Sequence, residues 1–358
     1  MADFAQQIID WQRQEGRHDL PWQNTREPYR VWLAEIMLQQ TQVGTVIPYY
    51  RRFLQHFPDI TALAAASGDA VMAQWAGLGY YSRARNLHKA AKKIISDHCG
   101  KFPKKFDDIL ALPGIGRSTA AAISAFCFGA RTAILDGNVK RVLARYLGVE
   151  GYPGDKRIES HLWVEAEALL PPKHVDVYTQ GLMDLGATVC TRSQPDCLHC
   201  PLRKACVAYR DERTDEMPQR KPKKTIPEKH VVMLIFIKDH RVLLEKRPPT
   251  GIWGGLWSLP EVALGEEIGE LCSQRFGVTV TPLPRLEVVS HGFTHFTLHI
   301  TPQPLVVTLA RHQSHETGVA WVREEELPAM GLPAPVAKML KQGKIFARYA
   351  ELAARARR

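Results

Sequence analysis

Apolar residues recur at helical spacing through the first 210 positions. Val31–Val43, Val71–Trp75, Leu87–Ile95, Ala120–Phe128, Val139–Leu147 and His161–Leu169 each predict a helix. Met1–Trp11 alternates apolar and polar residues and carries Asp3 and Asp10, which predicts an opening amphipathic helix and not a secretory leader. Gly77/Gly79, Pro113/Gly114, Gly151–Gly154 and Pro171/Pro172 punctuate the pattern. From Arg210 to Lys229 it lapses: Pro218, Pro222 and Pro227 stand among many charges and few apolar residues, as in a linker. Strand-type runs follow. His230–Ile237 turns at Asp239-His240 into Val242–Glu245, then come Thr297–Ile300, Leu305–Leu309 and a closing helix at Pro333–Leu340. The prediction is a mostly helical domain over 1–210, a linker over 211–228 and an α+β domain over 229–358, with no internal repeat.

A length of 358 residues suits two domains, each with its own core. No segment approaches the roughly 18 uninterrupted apolar residues of a membrane span. The expectation is a cytoplasmic protein without membrane contact, nucleoid-associated if the cell is bacterial. The net charge of +10 is spread over both halves and fits a polyanionic partner as well as plain solubility. Cysteines number seven; Cys99, Cys127 and Cys272 are isolated and the other four are clustered. That distribution suits a reducing compartment and one cofactor site, not a disulfide framework.

The cluster reads C-x6-C-x2-C-x5-C, from Cys190 through Cys197 and Cys200 to Cys206. Four thiolates so close in sequence can wrap one metal centre, either zinc or [4Fe–4S]. Structural zinc ribbons pair two C-x2-C knuckles, and only one is present, so the spacing favours iron–sulfur. Arg192, Arg203 and Lys204 lie within the loop, placed to meet phosphates or to offset the thiolate charge.

Phe106–Leu112, then Pro113-Gly114-Ile115-Gly116, then Arg117-Ser118-Thr119 and an alanine-rich run predict helix, tight turn, helix. The free N–H groups opening the second helix suit a phosphate. A dinucleotide fingerprint lacks its strand and third glycine, and a P-loop lacks its lysine. A helix–hairpin–helix clamp on a DNA backbone fits better.

Glu35 shares an apolar helical face with Val31 and Leu38. Burial would raise its pKa into the range of a general acid, although a buried Glu also serves to pair an arginine or cap a helix. Asp136, in Ile134-Leu135-Asp136-Gly137-Asn138-Val139-Lys140, holds an N-cap position. An ionised carboxylate there also suits stabilisation of a sugar cation. Gly77-Leu78-Gly79-Tyr80-Tyr81-Ser82-Arg83-Ala84-Arg85 places tyrosines between glycines and arginines, as a stacking wedge with phosphate anchors or a core tyrosine at a helix start.

Together these segments, with Leu20-Pro21-Trp22 and residues 31–43, 77–88, 112–123 and 134–142, resemble the MutY family of adenine DNA glycosylases, in the endonuclease III superfamily of helix–hairpin–helix glycosylases. The resemblance implies that Glu35 protonates an adenine leaving group and helps activate water, and that Asp136 stabilises the sugar cation. It implies that Gln40 intercalates, that Tyr80 stacks beside the lesion and that Trp22 and Gln180 line the adenine pocket. Gly114, Gly116, Asn138 and Lys140 would join the DNA contact, and the four cysteines would hold one [4Fe–4S] cluster. Strand-cutting relatives carry a Schiff-base lysine where this chain has Ser118, so a monofunctional enzyme that leaves an abasic site is expected; Lys140 is a nearby amine. Residues 251–260 and 292–296 resemble the family's MutT-like (Nudix-like) module, in which Phe293-Thr294-His295 would probe 8-oxoguanine. Glu261, Glu266, Glu267 and Glu270 do not form the R-E-x-x-E-E helix of a Nudix hydrolase, so pyrophosphatase activity is not expected. His291, His295 and His299 recur every four residues, but Gly292, Thr294 and Thr297 argue for an extended segment over a helical metal site. The implied partner is double-stranded DNA with adenine opposite 8-oxoguanine or guanine, bound by a monomer. The competing readings are a glycosylase for thymine opposite guanine and a cluster-bearing DNA sensor without catalysis.

Overall fold

The computed structural model describes residues 2–221, 225–310, 318–342 and 345–346. The chain forms two compact units, Met1–Ala65 with Asn86–Lys223, and Ala66–Arg85 with Lys224–Arg358.

The first unit contains α1 (Ala2–Glu15), α2 (Pro28–Leu38), α3 (Val43–His56) and α4 (Ile60–Ala65). Helix α5 (Gly68–Trp75) belongs to the second unit, and α6 (Ser82–His98) runs from the second into the first. Then come α7 (Phe106–Leu110), α8 (Arg117–Phe128), α9 (Gly137–Leu147), α10 (Lys156–Ala168), α11 (Val175–Thr188) and α12 (Val207–Arg210). The local sequence explains several boundaries. Pro28 opens α2, and the Glu27 carboxylate caps it by accepting from the N–H groups of Tyr29 and Arg30 at 3.0 and 2.9 Å. Helices α8 and α9 stop at left-handed Gly129 and Gly148. Phe4, Ile8, Val139, Leu143, Tyr178 and Leu182 meet in one core, the aliphatic side chains and Phe4 each worth roughly 1.5–3 kcal/mol when buried.

Two expectations change. The continuous run Val31–Val43 is broken: α2 ends at Leu38, Gln40 sits at φ +57, and α3 starts at Val43. Helices α3 and α11 escaped the periodicity reading because Pro48 lies within α3, and Gly181 and Gly186 interrupt the stripe of α11. Both glycines are contact points. A Cβ at Gly181 would meet Ile8 Cγ2 at 2.7 Å, and one at Gly186 would meet Asn138 Cβ at 2.6 Å.

The second unit holds an eight-stranded mixed sheet: β1 (Glu228–Lys238), β2 (Arg241–Lys246), β3 (Trp257–Ser258), β4 (Glu261–Val262), β5 (Val278–Pro282), β6 (Val289–Gly292), β7 (Thr297–Ala310) and β8 (Val319–Arg323). Helices α13 (Ile268–Phe276) and α14 (Ala334–Gln342) accompany it. Strand β1 pairs parallel with β7 and antiparallel with β2 and β4, while β5 and β6 pair antiparallel with β7. Val232, Leu234 and Phe236 of β1 pack with Cys272, Phe276, Leu305 and Val307. The two strands expected at Thr297–Ile300 and Leu305–Leu309 are one. Pro302 and Pro304 stand two apart, so their missing N–H groups face the same edge. Their carbonyls on that edge accept from Leu286 and Leu283, and β1 keeps its register on the other. His291 lies in β6 and His299 in β7, so the histidine repeat is extended and not helical. Among the described residues no helix is long and apolar enough to cross a membrane.

Candidate active site

A cavity of about 280 Å³ opens in the helical unit, close to the lower limit of typical ligand pockets. Three stretches wall it: the loop around Leu20, Trp22 and Arg26, one face of α2 with Val31, Glu35 and Leu38, and α11 with Asp176, Gln180 and Met183. Trp22 is buried and stands edge-on to Tyr50, with ring centroids 5.4 Å apart.

Glu35 lies in the middle of α2 and so caps nothing. Its pKa is pushed up to about 8, first by burial and then by repulsion from Asp136; no cation contributes. Asp136 is the N-cap of α9, its Oδ1 accepting from the Val139 N–H at 2.8 Å. Burial raises its pKa, opposed by the N–H groups of Val139 and Asn138 and by Arg141 and Lys140. The cavity wall does not include Asp136, yet its charge is felt at Glu35.

Ser118 lies in the first turn of α8, and its Oγ accepts from the Leu135 N–H at 3.0 Å. The hydroxyl therefore holds the backbone immediately before Asp136. Ser118→Ala leaves that partly buried N–H without its acceptor and is expected to cost about 1–3 kcal/mol of stability. Urea unfolding checks the value, and an unchanged midpoint would show that the bond carries no weight.

In the hairpin turn Gly114 has φ +80, and a Cβ there would meet Asn86 Cβ at 2.7 Å. Gly116 caps α8 at φ −95 with no side-chain cap bond. Gly114→Ala adds left-handed strain, about 1–2 kcal/mol, to that steric contact. The variant is expected to unfold at lower denaturant and to bind duplex DNA more weakly; wild-type values in both assays would contradict this.

Gln180 donates through Nε2 to Asp184 Oδ1 at 2.8 Å. Asp184 is fully buried and takes Arg17 Nη2 at 2.6 Å and the Arg17 backbone N–H at 3.0 Å. An ionised Asp184 can only accept, so the amide nitrogen of Gln180 must face it. Sequence reading missed Arg17 and Asp184; the i, i+4 spacing of Gln180 and Asp184 was the available signal. Asn138 Oδ1 accepts from Arg141 Nη2 at 2.9 Å, and Lys140 Nζ pairs with Glu159 at 2.7 Å. Gln40 is exposed and left-handed between α2 and α3.

In the second unit Tyr80 is 43% exposed at φ +47. The arginines beside it are not free phosphate anchors. Arg83 is buried, donates to the carbonyls of Leu78 and Gly79 at 3.4 and 3.1 Å, and lies over the Trp75 and Tyr80 rings. Arg85 donates to the Gly254 carbonyl at 2.5 Å. The donors of Arg83 thus hold the loop that presents Tyr80. Phe293, Thr294 and His295 form the connection from β6 to β7. Phe293 stacks on Phe296 at 4.5 Å and packs against Trp253 at 5.4 Å, leaving Thr294 and His295 exposed. Glu261 pairs with Arg247 at 2.5 Å.

Cys190, Cys197, Cys200 and Cys206 line one small cavity together with Arg145 and form no disulfide. Arg145 is buried and reaches Cys190 Sγ at 3.3 Å, the Thr191 carbonyl at 2.7 Å and the Met217 carbonyl at 2.8 Å. The first part of the expected linker, as far as Met217, is therefore packed and not free. Burial, with repulsion among the sulfurs, raises the thiol pKa values of Cys197, Cys200 and Cys206. A cationic centre would relieve both effects, so the donor set fits a thiolate-bound cluster.

Residues 33–168 match the family described as HhH-GPD superfamily base excision DNA repair protein, and residues 231–342 match the NUDIX domain. An adenine DNA glycosylase of Buchnera aphidicola is 38% identical over 344 residues, covering 96% of this chain and 97% of that protein. The mouse adenine DNA glycosylase is 32% identical, covering 90% of this chain and 74% of its own length. A solved thermostable thymine-DNA glycosylase aligns with a TM-score of 0.53 at 30% identity, over 58% of this chain and 95% of that one. With identity of 30% or more over nearly the whole chain and matches to both domains, the chain belongs to the adenine DNA glycosylase family.

Proposed function

We propose that this chain hydrolyses the N-glycosidic bond of adenine opposite 8-oxoguanine or guanine in duplex DNA, leaving an abasic site without cutting the strand. The observation that carries the reading is Glu35, a carboxyl in a cavity wall with its pKa near 8. A glycosidic bond in duplex DNA is out of reach until the nucleotide is extruded, and the cavity would receive the flipped base between Trp22 and Gln180. Protonated Glu35 gives its proton to a ring nitrogen as the bond from C1′ to the base breaks, and the bonding pair leaves with the base. Asp136, ionised, stabilises the sugar cation. Water then adds to C1′ and returns a proton to Glu35.

Ser118 offers no amine, and Lys140 is engaged with Glu159, which supports hydrolysis over a covalent sugar intermediate. Gln40 and Tyr80 would each enter the duplex, and both are exposed residues already held in the left-handed region. Gly114, Gly116 and Asn138 would hold the backbone, and Phe293, Thr294 and His295 would read the opposite base. The functional division is 1–210, 211–228 and 229–358, acting as a monomer in the cytoplasm or at the nucleoid.

Cys190, Cys197, Cys200 and Cys206 would hold one [4Fe–4S] cluster, which when bound supplies a rigid core for the loop carrying Arg192, Arg203 and Lys204. Native preparations are expected to be coloured and to contain about four iron atoms per chain; iron-free, colourless protein would remove the cluster.

The deciding assay incubates the chain with duplexes carrying adenine opposite 8-oxoguanine, followed by alkali. Breaks only after alkali are expected. No abasic site would sink the proposal, breaks without alkali would refute the monofunctional reading, and cleavage confined to thymine opposite guanine would replace the substrate.

A further inference from the structure

The second unit carries a group of donor atoms that the glycosylase chemistry does not use. The parallel register of β1 and β7 sets His230 directly opposite His299. Their rings stack at 4.7 Å with 18° between planes. Glu228 lies two residues before His230 and so on the same face of β1. Its Oε2 is 3.6 Å from His299 Nε2. One ligand atom from each of the three residues falls within 4.8 Å of the others.

His299 is held as a metal ligand needs to be. Its Nδ1 is 2.9 Å from Ser290 Oγ, the residue opposite it on β6. If Nδ1 donates to that hydroxyl, the lone pair is on Nε2, the atom 3.6 Å from the Glu228 carboxylate. His299 Nε2 is buried and makes no hydrogen bond among the described residues. Glu228 and His230 are exposed, so an ion has access from solvent.

We propose that Glu228, His230 and His299 form a zinc site on the strand β1–β7 pair, with Ser290 orienting His299. Two imidazoles and a carboxylate are an ordinary ligand set for Zn²⁺ that leaves the fourth position to water. The site is separate from the cysteine loop in ligands and in chemistry, since thiolates are absent. A bound ion would tie β1 to β7, the strand that follows Phe293-Thr294-His295, and Ser290 already links His299 to β6, the strand before them. The assignment of the ion does not depend on what those three residues read.

The test uses the full chain without a histidine tag, isolated with its iron and stripped of loosely held metal. Zinc is titrated calorimetrically at neutral pH, and iron is measured before and after. One zinc equivalent per chain is expected, with iron unchanged and thermal unfolding shifted upward by zinc. His230→Gln and Glu228→Gln alter exposed side chains and should leave the zinc-free unfolding midpoint in place. His230→Gln should weaken zinc binding by at least about tenfold, since losing even an outer-shell partner of a metal ligand costs about 10–100-fold, and Glu228→Gln should weaken it measurably. Absence of zinc binding by the wild-type chain would overturn the proposal. So would unchanged affinity and stoichiometry in a folded His230→Gln/Glu228→Gln double variant, which would place the zinc elsewhere.

Discussion

Glu35→Gln should lower the single-turnover rate of adenine release by roughly 10²–10⁴-fold, the span that general acid–base catalysis supplies, while duplex binding stays close to wild type. The substitution keeps size and polarity in the α2 wall of the cavity and removes only the proton that titrates. In the wild type the rate should fall as pH rises through about 8, because the acid form is the active one. Stability gives an independent check. The folded pKa of Glu35 is raised, so stability is full below the unfolded carboxyl pKa and is lost as pH rises toward about 8. Glu35→Gln has no such loss. It should therefore be more stable than wild type at alkaline pH, with the difference shrinking toward acid. Retained turnover would remove Glu35 from its role, and an advantage independent of pH would contradict its burial as the cause.

Asp136 calls for two substitutions, because it demonstrably does one job already. Asparagine caps a helix about as well as aspartate. Asp136→Asn should keep stability within roughly 0.5 kcal/mol yet lose activity by about 10²–10³-fold, the scale of a lost electrostatic contact at a developing charge. Asp136→Ala should lose that activity and about 1 kcal/mol of stability as well. Asp136 raises the Glu35 pKa by like-charge repulsion, so residual activity in Asp136→Asn should have its alkaline limb moved to lower pH. Full activity in a stable Asp136→Asn variant would leave Asp136 as a cap alone.

Much of the architecture was legible because local signals agreed with the tertiary outcome. The stripes of α8 and α9, their terminal glycines and the β1–β2 hairpin are consistent at both levels. The misreadings have particular causes. Gly181 and Gly186 hide α11 from a hydrophobic count because a side chain at either position would collide with Ile8 of α1 or Asn138 of α9. Pro302 and Pro304 argue against a strand locally, yet the strand survives because both missing donors fall on one edge. Arg83 and Arg85 look like solvent cations in sequence. Their donors in fact go to backbone carbonyls, which a one-dimensional pattern does not display.

For the site itself, sequence alone determined residue types and order: a carboxylate on an apolar helical face, a second at a helix start, a hairpin with two glycines and four clustered cysteines. Those follow from spacing along one chain. Tertiary structure decided what each group experiences. Only packing shows that Glu35 opens onto a cavity and feels Asp136 across the fold. Only packing joins Arg17 to Asp184 and thence to Gln180, 167 residues away in the first of those links. Burial and Coulomb repulsion depend on distance in space, and a sequence records distance along the chain.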